Sequence, residues 1–478
     1  MSASHLPPNG IQRTVLRVAA DAERSGTTRS PPSGVALGEL FFADEAADLK
    51  ASRATMRSRT RDNRTVQAAL SELKGLRARG QSPEPAWFHP FPARMPVSVA
   101  EHLITQITTS EAVILDPMVG SGTSLIAATR LGRHGLGFER DPLALLIARS
   151  ATAGFDSGRL EALGARILDH AQGAVRSSRI RLSQIRAQMF SEDRRFIDYW
   201  FPPKSQEQLS VLADAIREQA GGKEKDFAWV VFSSLIIAKS AGASSALDLP
   251  RSRPHKQSAK AVVVPLDAWT RRFRTAVARL PFKDCELATG ASVRRGDARV
   301  LPLANQTVDL VLTSPPYLNA IDYLRAHKFS LVWMGYSLGQ LRELRGTMMG
   351  TERGLWSLDG LPPGLEERLE HVLEEERERA NRRRYLSDLA KVLSEIARVL
   401  RPGGLAVLAV GPTIISSKRT DAADVVAALG ERVDLRVVGD VARQLRAAHR
   451  SLPPPRAAAK SSPLSYRMRR EVIVALRK

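Results

Sequence analysis

The sequence holds a single cysteine, Cys285, among its 478 residues. One thiol cannot form an intramolecular disulfide, and it cannot supply the several cysteine ligands of a zinc site. This composition is typical of a reducing compartment, and we expect a cytoplasmic protein. We also predict no metal site, because the most tempting histidine, His327, has no second ligand at helical or turn spacing. A catalytic-base role for His327 stays open beside the commoner structural one.

Long apolar runs are also missing. No run approaches the roughly 20 residues that cross a bilayer, and residues 1–15 contain no apolar core of the kind found in signal peptides. We therefore expect no membrane association. Hydrophobic residues make up 43% of the chain, which is enough for one large core or two ordinary ones.

Acidic residues are scarce relative to basic ones. The chain has 50 Asp and Glu against 71 Lys and Arg, a net charge of +21. Such a surplus repels itself unless a polyanion shares the surface, so nucleic acid is the leading partner. The alternative is an arginine-rich composition without a binding purpose.

Pattern changes along the chain predict four regions. Residues 1–80 form a basic, partly disordered extension rich in Ser, Pro and Arg, and residues 81–150 alternate strand, turn, helix and strand. Residues 151–290 are mainly helical. Residues 291–478 return to an α/β rhythm, interrupted at about 335–385 by a charged helical insert. The chain is therefore expected to be an α/β protein with a helical insertion.

The clearest chemical motif is "LDPMVGSGTS", Leu115 to Ser124. A dinucleotide site would need a third glycine, and a phosphate-binding P-loop would need a lysine before the Ser or Thr; both are absent. The remaining ligand is S-adenosylmethionine, whose cationic amino acid part suits a nearby carboxylate. Glu139, at the end of the next strand, can accept hydrogen bonds from both ribose hydroxyls. An ordinary structural turn is the alternative.

A third strand end, in "GDARVLP", provides Asp297 as an acceptor for an adenine amino group. It stands just before "VDLVLTSPPY", where a buried strand stops at Ser-Pro-Pro-Tyr. We expect these two strand ends to lie side by side at the carboxyl edge of one parallel sheet, where ligands bind in such folds.

These motifs resemble those of the S-adenosylmethionine-dependent DNA methyltransferases that modify exocyclic amino groups. The family's catalytic tetrapeptide matches Ser314, Pro315, Pro316 and Tyr317, and "DPMVGSGTS" with "GFERDP" resembles its cofactor motifs. "HPFPARMP" resembles the preceding segment, although it has Arg94 and an extra residue before Pro96. The resemblance covers about 87–150 and 291–412. It implies a cofactor site built from Asp116, Pro117, Gly120, Gly122, Thr123, Glu139, Asp297, His89 and Arg94.

The resemblance also implies a fold: a Rossmann-like methyltransferase sheet, mostly parallel, with an antiparallel strand at the C-terminal end. The Ser314 hydroxyl and the Pro315 carbonyl are expected to accept the amino hydrogens of a base flipped out of duplex DNA, and Tyr317 to stack on it. Ser314 favours cytosine N4 over adenine N6, because the family's cytosine enzymes mostly carry Ser there. Cytosine carbon-5 chemistry is excluded, since Cys285 lies outside any Pro-Cys motif.

Other assignments stay open. Adenine N6 in DNA, an amino group in RNA, and a non-catalytic nucleic-acid-binding role all remain alternatives, and a cognate restriction or defence protein is a possible partner. Target recognition is expected from 151–290, or else from the segment after the catalytic strand. The predicted nucleic-acid contacts are Arg251, Arg253, Lys256, Arg325 and Lys328.

Overall fold

The structure of this chain is a computed structural model. It describes residues 58–74, 87–91, 94–177, 189–238, 242–247, 249, 254–257, 261–285, 290–317, 322–349, 376–411, 413–415, 418–420, 422–444 and 470–478. Most of the predicted N-terminal extension, and much of the predicted charged insert, lie outside the described residues.

A seven-stranded sheet forms the centre of the described chain. Its strands are β1 (Val113–Asp116), β2 (His134–Glu139), β5 (Ala291–Arg295), β6 (Val308–Thr313), β7 (Leu400–Val410), β10 (Arg436–Gln444) and β11 (Arg470–Arg477). Their order across the sheet is β10-β11-β7-β6-β1-β2-β5. Two short antiparallel pairs lie apart from it: β3 (Ala246–Leu247) with β4 (His255–Lys256), and β8 (Thr413–Ile415) with β9 (Lys418–Thr420).

The sheet confirms the predicted fold class. Strands β5, β2, β1, β6 and β7 pair in parallel, and β11, the last strand of the chain, runs antiparallel between β7 and β10. The chain builds outward from β1 in both directions, through β2 to β5 on one side and from β6 to β7 on the other. The strand order therefore reverses between β1 and β6. In open α/β sheets such a reversal leaves a crevice beyond the carboxyl ends of the two strands, and ligands bind there.

One expectation about the sheet is wrong. The strand before Asp297 was expected beside the strand that ends in Thr313, but β1 and β2 lie between β5 and β6. The two strand ends share an edge without being neighbours. After β5 the chain crosses back to the middle of the sheet, and the order of motifs along a sequence does not reveal such a crossing.

Helices cover both faces of the sheet because alternate strand residues point to opposite sides. One layer contains α1 (Asn63–Glu72), α2 (Val97–Ile107) and α3 (Thr123–Arg130), and its apolar cluster includes Ile114 and Leu310. The other contains α12 (Glu376–Val399) and α13 (Ala422–Glu431), packed against Val113 and Leu115.

The N-terminal boundary predicted at residue 80 is too late. Val66, Ala69, Leu70 and Leu73 of the α1 region are buried in the sheet's core, and the Arg59 backbone N–H donates to Asp309 at 2.9 Å. Residues 58–74 are thus part of the folded molecule. Their apolar positions follow the i, i+3, i+4, i+7 spacing of an amphipathic helix, a signal hidden by the surrounding arginines and serines.

The helical insertion packs against the rest of the described chain rather than standing apart. Its helices are α5 (Ser157–Arg176), α6 (Ser191–Trp200), α7 (Pro203–Gln219), α8 (Gly222–Ile236) and α9 (Pro265–Ala278). One continuous apolar cluster joins them to α4 (Pro142–Thr152), α10 (Leu324–Leu331) and α11 (Leu338–Thr347). The insertion therefore shares a core with the helices that flank both chemical motifs.

Candidate active site

The glycine turn after β1 lets the chain enter α3 sharply. Gly120 and Gly122 have φ angles of 53° and 87°, in the left-handed region that favours glycine. A Cβ on Gly122 would lie 3.3 Å from the Ala148 Cα, so this glycine also permits close packing of α3 on α4. Thr123 begins α3, and Pro117 is buried between Asp116 and the turn.

Asp116 ends β1 and is 5% exposed. Its carboxylate accepts hydrogen bonds from the hydroxyls of Ser124 and Thr313, the latter at 2.7 Å, and from the Met118 N–H at 3.1 Å. Burial raises the pKa of Asp116 to about 6, although these three donors lower it. The carboxylate has no cationic partner among the described residues.

Glu139 ends β2 and faces the glycine turn. One oxygen accepts the Gly120 N–H at 2.9 Å, and the other accepts the N–H groups of Arg140 and Asp141 at 2.8 and 2.9 Å. Burial, followed by the charge of Asp141, raises the pKa of Glu139 to about 7. No cation pairs with it within the described part of the chain. A carboxylate held by backbone amides beside a glycine turn suits a ligand's vicinal hydroxyls.

Asp297 follows β5 and is heavily engaged. Its carboxylate pairs with Arg140 and with Arg299, whose Nε and backbone N–H both donate to Oδ1 at 3.0 Å. Although partial burial raises the pKa of Asp297, the hydrogen bonds from Arg299 outweigh it and hold the pKa below its usual range. An adenine amino group would have to share this carboxylate with two guanidinium groups. The predicted role of Asp297 stays a prediction.

The catalytic-type turn begins where β6 ends. The Ser314 hydroxyl donates to the Ala409 carbonyl of β7 at 3.1 Å, and the Ser314 side chain also hydrogen-bonds with Tyr317. The Tyr317 ring lies so close to Gly411 that a Cβ there would be 2.6 Å from it. Burial, followed by the charge of Glu471, raises the pKa of Tyr317, so the ring keeps its hydroxyl proton. Pro315 is buried between them.

Two predicted cofactor residues lie in structural contacts. His89 is fully buried, and its Nε2 lies 3.0 Å from the Ser233 hydroxyl in the helical core. Burial, followed by the charge of His327, lowers the pKa of His89 to about 3. The Arg94 guanidinium lies 4.3 Å from the centroid of the Trp87 ring. The cofactor-binding roles predicted for both residues stay predictions.

Sequence reasoning missed an aromatic pair at the crevice. Phe91 stacks on Tyr323 with ring centroids 4.9 Å apart, and a Cβ on Gly120 would lie 3.6 Å from Phe91. His327 is buried, and its Nδ1 lies 2.7 Å from the Asp141 carboxylate. The proline-stiffened "HPFP" segment was the available signal, since prolines fix where such a ring is placed.

The predicted nucleic-acid contacts divide by location. Arg251 and Arg253 lie outside the described residues. Lys256 is exposed on β4, with its ammonium 4.2 Å from the centroid of the Tyr199 ring. Arg325 and Lys328 lie on α10, directly after the catalytic-type turn. Within the described ranges, no three His, Cys, Asp or Glu residues group to hold a metal ion, and no helix combines the length and apolar character needed to cross a membrane.

Comparison with known proteins gives a consistent result. Residues 29–150 match a family model described as DNA methylase. The chain is 22% identical over 339 residues to the Type II methyltransferase M.MvaI of Kocuria varians, covering 66% of this chain and 74% of the relative. It is 39% identical over 75 residues to the Type II methyltransferase M.HindIII of Haemophilus influenzae, covering 16% of this chain and 23% of that relative.

Among solved structures, the rRNA methyltransferase aviRa of Streptomyces viridochromogenes aligns over 82% of this chain and 88% of its own. The identity is 12% and the TM-score is 0.27. So low a score carries no argument, and the fold class rests on the strand order described above.

Proposed function

We infer that the chain belongs to the DNA amino-methyltransferase family, and we propose that it methylates the N4 amino group of cytosine in duplex DNA. S-adenosylmethionine is the family's methyl donor. The observation that carries the proposal is the bond between the two motifs: the Thr313 hydroxyl donates to Asp116 at 2.7 Å. It ties the strand end before Ser314 to the strand end of the cofactor motif.

The residues at the crevice fit S-adenosylmethionine. Glu139 has its carboxylate fixed by the Gly120 amide and no cation on it among the described residues, which suits the ribose hydroxyls. Asp116 likewise carries a raised pKa and no cation, so a positively charged amino acid moiety would favour its ionised form. When bound, the cofactor supplies an electrophilic methyl group on its sulfonium.

The catalytic turn provides acceptors for the target amine. An exocyclic amine is a weak nucleophile because its lone pair is delocalised into the ring. Acceptors that draw on its hydrogens favour the tetrahedral nitrogen needed for attack, and holding it in line with the methyl group lowers the barrier further. Ser314 is the first proposed acceptor, because a hydroxyl that donates to the Ala409 carbonyl keeps oxygen lone pairs for the amine. The Pro315 carbonyl is the second proposed acceptor, and Tyr317 the stacking surface for the flipped base.

This geometry changes one part of the base-choice argument. A serine could in principle donate to the ring nitrogen beside the amine, which an ionised carboxylate cannot do. In this structure the Ser314 hydroxyl donates to the Ala409 carbonyl, so it offers an approaching base its oxygen rather than its hydrogen. The preference for cytosine therefore rests on the family's use of serine at this position.

The product test uses labelled cofactor and mass spectrometry of digested nucleosides. Duplex DNA, single-stranded DNA and total RNA are offered side by side, and 4-methylamino-cytosine in duplex DNA is expected. Methylated adenine alone would overturn the base choice, and methylation of RNA alone would overturn the DNA substrate.

A variant pair tests the role of the turn. Ser314→Ala should lower turnover by about 100-fold, the scale seen when one transition-state hydrogen bond is removed, with cofactor affinity kept. Ser177→Ala, at the exposed end of α5, is the matched control and should behave as the parent protein. Equal turnover of the two variants would contradict the assignment.

The biological setting follows from the relatives. M.MvaI and M.HindIII are named Type II methyltransferases. We infer that this chain acts in restriction–modification, with a nuclease of the same target sequence as its counterpart. Plasmid DNA modified by the protein should resist such a nuclease, while plasmid modified by Ser314→Ala should be cut.

A further inference from the structure

Lys328 on α10 has unusual surroundings. Its ammonium nitrogen lies 5.3 Å from the centroid of the Phe196 ring and 5.9 Å from that of Phe329. The two rings meet edge to face where α6 packs on α10, with centroids 5.0 Å apart. The ammonium group is therefore partly desolvated against an aromatic surface, a position that stabilises a cation but also restricts where it points.

Three arginines and one aspartate act on the charge of Lys328. Burial lowers the pKa of Lys328, and the charges of Arg345, Arg325 and Arg342 lower it further, with Asp322 acting in the opposite direction. A lysine placed among three arginines is electrostatically unfavourable in the free protein. An anion bound at this point would relieve that repulsion.

The nearby carboxylates are already engaged. Asp322 pairs with Arg345 and, at 3.3 Å, with Arg325. Glu192 of α6 accepts both terminal nitrogens of Arg342, the second at 2.8 Å. In the described part of the chain no carboxylate forms an ion pair with Lys328. Arg342 also lies near Asp193 and Glu343, so Lys328 is the cation of this group that has no carboxylate partner within the described residues.

The helix that carries Lys328 begins beside the catalytic turn, because Tyr323 is close enough to Tyr317 to raise the pKa of its hydroxyl. Helix α10 starts at Leu324, just after Tyr323, whose ring stacks on Phe91 beside Gly120. Lys328 comes five residues after Tyr323, or about 7.5 Å along the axis at a helical rise of 1.5 Å per residue. This distance corresponds to about two nucleotides of one DNA strand, which rise about 3.4 Å each along the duplex axis.

We propose that Lys328, with Arg325 and Arg342 beside it, binds a backbone phosphate of the DNA strand that presents the target base. The proposal rests on the proposed function, because it places DNA over the crevice. The ammonium is a compact point charge suited to phosphate oxygens. Phosphate contacts position a duplex without reading its sequence, so this group would set where the target strand lies.

Binding is measured by fluorescence anisotropy of a labelled duplex over a range of salt concentrations. Lys328→Met removes the charge and keeps a long apolar side chain. It should weaken binding about tenfold at low salt and make the log–log salt slope shallower by about 0.9, the value for one phosphate contact. The loss should be the same on target and non-target duplexes. Lys328→Arg should keep most of the affinity.

The matched control is Lys223→Met. Lys223 also has its ammonium over a ring, 5.4 Å from the Phe155 centroid, but it donates to the Gly154 carbonyl at 2.6 Å and lies on α8. This variant should leave the salt slope unchanged.

A second variant has the opposite expected sign. Glu192→Gln removes the carboxylate that competes with phosphate for Arg342, so DNA should bind about threefold more tightly. If Lys328→Met fails to fold, as judged by lost cofactor binding, Arg342→Gln replaces it and should also make the slope shallower. Its side chain is about half exposed.

The outcomes separate this inference from the proposed function. If the parent protein binds and methylates DNA while Lys328→Met and Glu192→Gln both match it in affinity and slope, the phosphate site is wrong. If the parent protein neither binds nor methylates DNA, the proposed function itself fails.

Discussion

Asp309 and Asp116 are buried carboxylates on the neighbouring strands β6 and β1. Asp309 lies at the amino edge of the sheet, where the parallel strands start, and Asp116 lies at the carboxyl edge, where they end. The two carboxylates have very different partners. Asp309, at the start of β6, is fully buried; it accepts the N–H groups of Arg59 and Val113, each at 2.9 Å, and pairs with Arg401 at 2.6 Å. Asp116, at the end of β1, accepts hydrogen bonds from two hydroxyls and one amide, and none of the described residues gives it a cationic partner.

The difference separates a structural site from a site prepared for a ligand. At the amino edge a guanidinium neutralises the buried charge and joins β6 to β7. At the carboxyl edge the neutral donors offset burial only in part, and the pKa values of Asp116 and Glu139 rise to about 6 and 7. Buried carboxylates with raised pKa values in a crevice indicate a ligand site, where the bound ligand supplies the favourable interactions that the protein does not.

Breaking the amino-edge pair should have the largest effect on stability. Asp309→Asn leaves Arg401 as a buried cation without its carboxylate, which should lower the free energy of unfolding by about 3–5 kcal/mol. Urea denaturation measures it, and turnover per folded molecule should be unchanged. Adding Arg401→Met should recover part of the loss. An unchanged urea midpoint in Asp309→Asn would mean that the pair is not the structural site inferred here.

The same substitution at the carboxyl edge should act in the reverse sense. Asp116→Asn removes a buried charge that no cation in the described part of the chain neutralises, and both hydroxyl neighbours can rotate to accept the new amide hydrogens. The cofactor-free protein should be as stable as the parent or more so, whereas calorimetry should show cofactor affinity reduced by about tenfold or more. A large loss of stability with normal cofactor binding would show that Asp116, like Asp309, has a structural role rather than a ligand-binding one.

Thr313 tests whether the two motifs act together. Thr313→Val keeps the shape of the side chain and removes the hydrogen bond to Asp116, so cofactor affinity and kcat should both fall, each by about three- to tenfold. Thr313→Ser should recover both. Thr129→Val is the matched control, because Thr129 is a buried threonine of α3 whose hydroxyl has no hydrogen-bond partner within the described residues. A fall in kcat alone would limit Thr313 to shaping the catalytic turn.

How well the sequence predicts each region depends on the range of the interactions. The glycine turn, Glu139 and the Ser-Pro-Pro-Tyr turn were found because local backbone rules place them at strand ends. The Asp309 site joins residues 92 and 250 positions apart, and no local pattern signals that pairing. The ion pairs of Asp297 with two arginines also depend on the assembled sheet. The same holds for the position of β5 as an outermost strand.

The smallest expected effect is on the pH dependence of cofactor binding, and it follows from the raised pKa values. In the cofactor-free protein the pKa of Asp116 is about 6 and that of Glu139 about 7, above the ordinary values of 3.8 and 4.5. The folded state therefore binds more protons than the unfolded state, and stability should fall as pH rises from about 4 to 7.

Cofactor affinity should change in the opposite direction, because the ionised carboxylates are the better partners for a cationic ligand and its hydroxyls. Affinity should rise severalfold between pH 6 and pH 8, and binding at pH 6.5 should release protons, measured by calorimetry in buffers of different ionisation enthalpy. Glu139→Gln should remove the upper part of the rise and Asp116→Asn the lower part. A flat affinity profile without proton release would show that the carboxyl edge is already as well neutralised as Asp309, and that the contrast between the two edges does not extend to ligand binding.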